Sequence, residues 1–158
     1  MNETKEAIRQ AEPSDISELV GLINRAFAVT RKFRFGDRTN AAQIQDMMNS
    51  GTFLLWRNDR GIVACVYLRV TGTRAYLGTL SVDPAEQRKG IGTQVMRYAE
   101  EYCRAAGCKA IDIRIVNVRT ELPDIYHKFG FVETGTQSAE VIKDAITPIH
   151  FIIMSKDL

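Results

Sequence analysis

The sequence predicts one mixed α/β domain, and three observations lead there. Apolar residues recur at helical spacing in four segments, and seven other segments are short, apolar or alternating in the manner of strands. The chain has 158 residues, a length that fits one domain with a real core. It shows no repeat, no low-complexity tract and no linker, so residues 1–158 read as a single unit.

Taken in order, Ala7 to Ala11 forms a short first strand. Glu12-Pro13-Ser14-Asp15 then starts a helix with Ser14 as its N-cap. Ile16, Leu19, Val20, Ile23 and Phe27 give that helix one apolar face. A second helix runs from Ala41 to about Asn49, burying Ile44, Met47 and Met48. Thr52 to Arg57 and Ile62 to Val70 make a hairpin around Asn58-Asp59-Arg60-Gly61. Gly72 turns the chain into a fourth strand, Ala75 to Val82, which Asp83-Pro84 stops because proline cannot donate to a ladder.

A long helix follows from about Gly90 to Ala106, with Val95, Met96, Ala99, Tyr102 and Cys103 on one face and Gly107 as its C-terminal cap. Ala110 to Val116 alternates Ile111, Ile113 and Ile115 against Asp112 and Arg114, a strand with one buried face. A short helix, Pro123 to Phe129, is closed by Gly130. Phe131 to Thr136 and Ile149 to Ser155 complete the strands. Met47, Met48, Met96, Cys65 and Trp56 are expected in the core.

Composition narrows the function classes. Hydrophobic residues make up 45% and charged residues 25%, a folded rather than a disordered profile. The formal net charge of +2 argues against a strongly basic nucleic-acid binder. No apolar run approaches a membrane span, and the polar start Met1 to Glu6 does not read as a signal peptide. Cys65, Cys103 and Cys108 form no CxxC pair, and His127 and His150 do not cluster with them. Free thiols in a cytoplasmic protein, with no metal, are the expectation.

The informative stretch is Ser81 to Thr93. A strand ends, a basic turn with two glycines follows, and a long amphipathic helix begins. The first N–H groups of a helix have no internal partners and sit at the positive end of its dipole, so they favour an anion. Gly90 and Gly92 let backbone approach a phosphate, while Arg88 and Lys89 add positive charge. A dinucleotide fingerprint fails because Val95 stands where its third glycine belongs, and the GxxxxGK[ST] phosphate loop is absent as well. What remains is Q-x-x-G-x-G, Gln87 to Gly92.

Leu80-Ser81-Val82-Asp83-Pro84 followed by Gln87-Arg88-Lys89-Gly90-Ile91-Gly92 resembles the acetyl-CoA signature of the GNAT superfamily of N-acetyltransferases. Asp124-Ile125-Tyr126-His127-Lys128-Phe129-Gly130-Phe131 resembles that superfamily's Tyr-x-x-x-Gly-Phe segment. The resemblance implies a central, mostly antiparallel sheet splayed between the fourth and fifth strands and flanked by about four helices. It implies acetyl-CoA as co-substrate, with backbone N–H groups from Arg88, Lys89, Gly90, Ile91, Gly92 and Thr93 on its pyrophosphate. The backbone of Leu80 and Val82 would flank the pantetheine arm, a Val82 N–H polarising the thioester carbonyl, with Asn117 on the slot's wall. Tyr126 matches the family's general acid, either protonating the leaving sulfur or only holding the cofactor by a hydrogen bond. His127 reads as a solvated neighbour.

Two proton transfers need a route. An amine of pKa ~10.4 is neutral in only about one molecule in 2,500 at pH 7, whereas the leaving thiol, at roughly 8.5, needs modest help. Many family members carry a glutamate on the fourth strand, but Tyr76 stands at that position here and no acid falls between Ala75 and Val82. Water or a loop carboxylate such as Asp37 would then serve as base.

The resemblance places the amine acceptor, a small molecule or a peptide, against the segments Thr30 to Ala41 and Gln137 to Pro148. The first carries Arg31, Lys32, Arg34 and Arg38 against Asp37, with Phe33 and Phe35 between. It reads either as a recognition loop for an acidic, phosphorylated or flat acceptor or as a solvated loop. The leading function is acetyl transfer to a primary amine by direct attack in a ternary complex. A non-catalytic CoA or acyl-CoA sensor of the same fold is the alternative, and weak RNA binding through the basic loop would need a motif the chain lacks. No membrane or nucleic-acid partner is expected. A homodimer, the acceptor's identity and the use of a longer acyl group are left open.

Overall fold

The structure, a computed structural model, describes residues 8–28, 38–138 and 149–158. Its strands are β1 (Ile8–Gln10), β2 (Thr52–Asn58), β3 (Gly61–Thr71), β4 (Arg74–Val82), β5 (Ala110–Val116), β6 (Val132–Ser138) and β7 (His150–Asp157). They form one sheet in the order β1-β2-β3-β4-β5-β7-β6. Every neighbouring pair is antiparallel except β4 with β5. The helices are α1 (Ile16–Ala26), α2 (Ala41–Ser50), α3 (Ile91–Ala105) and α4 (Leu122–Lys128). The expected mixed sheet, flanked by four helices among the described residues, is therefore present.

Each face of the sheet carries its own core. Leu19, Leu22 and Ile23 of α1 and Ile44 of α2 pack on Phe53, Leu55, Cys65 and Tyr67. On the other face Val95, Met96, Ala99 and Cys103 of α3 meet Val66, Leu68, Leu77, Ile111 and Ile113. Alternation along the strands makes both possible, since successive side chains point to opposite faces. Met96 and Cys65 are buried as expected, but Met47, Met48 and Trp56 are only half-buried, at the margins of these cores.

The start of α1 departs from the reading. Pro13–Asp15 is a 3₁₀ turn, and Ser14 caps nothing. Asp15 accepts both Arg9 guanidinium nitrogens at 2.8 Å and the Glu12 N–H at 2.8 Å, which pins β1 to the helix start. The Arg9–Asp15 fork, six residues apart in sequence, organises the helix start in place of a serine cap and holds the Asp15 carboxyl below its usual range. By contrast, α2 is capped locally: the Asn40 side chain accepts the Gln43 N–H at 3.0 Å.

The sequence also missed a buried charge. Glu100 lies on the inner side of α3, beside Cys103, and receives Lys156 of β7 and Arg104. A carboxylate among apolar helix positions is tolerated there because two cations reach it.

Candidate active site

The cleft begins where the sheet stops being a sheet. β4 and β5 pair only at Arg74↔Ala110, Ala75↔Ile111 and Tyr76↔Asp112, then separate. Over the same stretch β4 carries a bulge: Tyr67 faces Gly78 while Cys65 faces Ser81, so two steps on β3 span three on β4. Thr79, the residue in excess, has φ of 53°, a conformation uncommon for a β-branched side chain. Its carbonyl accepts the Ser81 hydroxyl at 3.0 Å and lies 3.8 Å from the Cys65 sulfur, so buried groups hold the bulge.

The separated strands open a cleft of about 690 Å³. Leu80, Val82 and Gln87 line one side, Ile113 and Ile115 the other, and Tyr126 stands on its wall. Backbone direction follows from the register. The Asp83 N–H donates to Val63 across β3 at 2.8 Å. Successive N–H groups alternate sides, so the Val82 N–H points away from β3, toward the open edge facing β5.

Beyond β4 the chain is fastened before it turns. Asp83 accepts the Ala85 N–H at 3.0 Å and two Arg25 nitrogens at 2.9 and 3.2 Å. Partial burial pushes the Asp83 carboxyl up, but the Ala85 N–H and Arg25 outweigh it and hold the group low. Gln87 Nε2 donates back to the Val82 carbonyl at 3.2 Å. Arg88 then takes φ of 66° and Gly90 φ of 79°, and Gly90 caps α3 without any side-chain acceptor on the first N–H groups. The left-handed turn aims those free N–H groups outward, and glycine takes this φ without strain.

Lys89 also has a partner within the turn. Its Nζ lies 3.0 Å from Oε2 of Glu86, which is buried and also approached by Arg60 at 3.5 Å. Lys89 therefore ties the turn to Glu86 from the exposed side, whereas Arg88 is exposed with no carboxylate partner among the described residues. Ile91 and Gly92 are half-buried and Thr93 is exposed at the first turn of α3. Asn117 lies between Val116 and Val118, which line the cleft, and its Oδ1 accepts the His150 N–H at 2.8 Å.

Tyr126 comes from α4, packed edge-on against Phe131 (centroids 5.7 Å apart) and tilted against Phe129 (6.2 Å). Its hydroxyl has no hydrogen-bond partner among the described residues. Burial pushes its pKa up to about 12, the Tyr76 phenol adding to the rise and Arg119 opposing it. His127 points elsewhere, exposed and paired with Glu133.

Opposite Tyr126 lies a feature that sequence reading passed over. Tyr76 occupies the expected base position, and the guanidiniums of Arg69 and Arg114 each sit 5.2 Å from its ring centroid. Arg114 also lies 4.9 Å from the Phe151 ring. The turn at Gly72 sets Arg69 directly across from Tyr76, a signal present in the hairpin spacing; Arg114 arrives from β5 and has no such signal. Among the described residues lining the cleft there is no carboxylate and no histidine. Of the basic segment, Arg31, Lys32, Arg34 and the base candidate Asp37 lie outside the described residues. Arg38 lines the cleft and sits over Phe27 at 5.2 Å.

Comparison with known proteins agrees with this architecture. The model of the acetyltransferase (GNAT) family matches residues 18–131. Glucosamine 6-phosphate N-acetyltransferase 1 of rice is 34% identical over 71 residues, 45% of this chain and 41% of that protein. Streptothricin acetyltransferase of Streptomyces lavendulae is 28% identical over 92 residues, 58% of this chain and 49% of its own length. The chain thus spans less than half the length of these curated relatives. Among solved structures, PaiA N-acetyltransferase of Thermoplasma acidophilum in complex with coenzyme A superposes with a TM-score of 0.79. It is 16% identical, with 96% of this chain and 98% of that one covered. No helix among the described residues is long and apolar enough to cross a membrane.

Proposed function

The chain belongs to the acetyltransferase (GNAT) family, and from that premise we propose that it transfers the acetyl group of acetyl-CoA to a primary amine by direct attack. The observation that carries this reading is the three-residue β4–β5 pairing that opens into a cleft with a bulged strand on one side and a phenol on its wall.

The residues present fit acetyl-CoA. The uncapped start of α3 offers N–H groups and a helix dipole to a pyrophosphate, with Arg88 beside them. The edge of β4 from Leu80 to Val82 suits an extended pantetheine arm, and the outward Val82 N–H suits a carbonyl oxygen on which charge develops during attack. Acetyl-CoA supplies the activated thioester; the protein supplies alignment and donors.

Tyr126 holds a proton close to where the sulfur would leave. A phenol near 12 stays protonated throughout the working range, so it always offers a donor. It is a weaker acid than a thiol at roughly 8.5, so it assists by hydrogen-bonding the departing thiolate more than by complete transfer. Without a cleft base among the described residues, the amine must arrive neutral. The value of kcat/KM should then rise about tenfold per pH unit up to the acceptor's own pKa. A plateau beginning around pH 6–7 with an alkyl amine would instead reveal a protein base.

The deciding experiment is release of CoA thiol from acetyl-CoA in a panel of amines. Amine-dependent thiol release supports the transferase. The lack of a cleft carboxylate or imidazole favours a second reading, a CoA-binding sensor. That reading requires acetyl-CoA to raise the melting temperature while no amine releases thiol.

A further inference from the structure

A second concavity of about 720 Å³ runs over β4, β5, β7 and β6, and Tyr76 and Arg114 line both it and the cleft. Its two carboxylates, Asp112 and Asp157, are directed at Arg74. Asp112 accepts two Arg74 nitrogens at 2.9 and 2.6 Å and the Ser155 hydroxyl at 2.6 Å, and Asp157 also acts on Arg74. Arg74 is thereby neutralised.

Arg69 and Arg114 are treated differently. Both are exposed, neither has a carboxylate partner among the described residues, and both are braced on the same Tyr76 ring. Each guanidinium lies 5.2 Å from the Tyr76 centroid, so the rim around that ring carries two positive charges and attracts an anion. Guanidinium forks suit the planar or tetrahedral oxygens of carboxylate and phosphate. Tyr76 and Arg114 also line the cleft that Tyr126 walls, whereas Arg69 faces only the second concavity. An anionic group docked here would leave an amine a few bonds away directed at the β4 edge.

We propose that Arg69 and Arg114, braced on Tyr76, bind an anionic carboxylate or phosphate group of the acceptor, so that the substrate class is small amines carrying such a group. The proposal rests on the acetyltransferase reading for its kinetic test and not for its binding test.

The kinetic test compares ethanolamine, ethanolamine phosphate and β-alanine with acetyl-CoA held saturating. The phosphate or the carboxylate amine should be preferred over ethanolamine, and which one is preferred identifies the anion. Arg69→Gln and Arg114→Gln should each lower kcat/KM for the preferred amine roughly tenfold to a hundredfold, mainly through KM, the worth of a charge-assisted hydrogen bond. The loss for ethanolamine should be several-fold smaller. Equal losses for charged and neutral amines, or no preference in the parent protein, would overturn the proposal.

The binding test follows the arginine Nε–Hε signals of the isotope-labelled protein during titration with inorganic phosphate and with acetate. Shifts at Arg69 and Arg114, lost in the double glutamine variant, support the site even if no amine is acetylated. Signals that stay fixed up to tens of millimolar of both anions would reject it. Folding of the variants is checked by their melting temperatures.

Discussion

The two ends of the cleft are built on different principles. At the α3 end the groups proposed to hold acetyl-CoA are backbone: the uncapped N–H groups after Gly90 and the outward Val82 N–H, on a turn fastened by Asp83, Gln87 and Glu86. At the Tyr76 end they are side chains gathered from β3, β4, β5 and β7, stacked as Arg69, Tyr76, Arg114 and Phe151. A backbone site is fixed by local chain geometry and can serve an invariant ligand fragment. A side-chain site changes with any one residue, so it can set the acceptor without disturbing the cofactor end.

Tyr126 stands between these ends, and removing its hydroxyl is the largest single perturbation expected. Tyr126→Phe keeps the ring against Phe129 and Phe131, so the fold and acetyl-CoA binding should survive. A well-matched general acid is worth roughly 10²–10⁴ in rate, and a phenol near 12 belongs at the lower end of that range. The expected result is a fall in kcat of about 10²-fold with little change in either KM. A loss confined to acetyl-CoA affinity would make Tyr126 part of the backbone end's binding job, and unchanged kcat would remove it from the chemistry.

Gly90→Asp tests the backbone end alone. An aspartate at φ of 79° carries left-handed strain of about 1–2 kcal/mol and puts a negative charge at the start of α3. Nothing lies within 4 Å of the added Cβ, so crowding inside the protein is not part of the effect. Acetyl-CoA affinity should drop roughly tenfold to a hundredfold, measured by calorimetry, while the relative preference among amines stays the same. A change in amine preference would show that the two ends are coupled.

This division explains what was legible in the sequence. The order of elements along the chain and the turn at Gln87–Gly92 rest on alternation, helical spacing and glycine placement within short windows, while the splay was implied by the family resemblance; the structure has all three. What the sequence did not show are side-chain partnerships: Asp15 is claimed by Arg9 six residues away in another element, Lys89 pairs with buried Glu86 three residues away, and the Asn117 side chain accepts the His150 N–H thirty-three residues away. Arg114 reaches Tyr76 only because β5 pairs parallel with β4 for three residues and then leaves it, a geometry that no local pattern encodes. The bulge at Thr79 was equally hidden, because threonine is an ordinary strand residue by propensity.

That bulge joins the two ends, and Thr79→Gly is the mildest way to probe the joint. Thr79 pays for φ of 53° with strain of order 1–3 kcal/mol, which persists because Ser81 and Cys65 hold its carbonyl. Glycine adopts the same φ freely but costs about 0.5–1 kcal/mol of extra chain entropy in the unfolded state. The two terms nearly cancel, so stability should change by less than about 1 kcal/mol, within a few degrees of melting temperature. The functional effect should be larger than the thermodynamic one. A glycine bulge relaxes more easily, so the Leu80 to Val82 edge loses its fixed position beside Tyr126, and positioning errors are expensive in catalysis. A several-fold fall in kcat with acetyl-CoA affinity kept would show that the strain at Thr79 serves alignment. Stability gained with full activity would show instead that the bulge is held by its hydrogen bonds alone and that the strain is incidental.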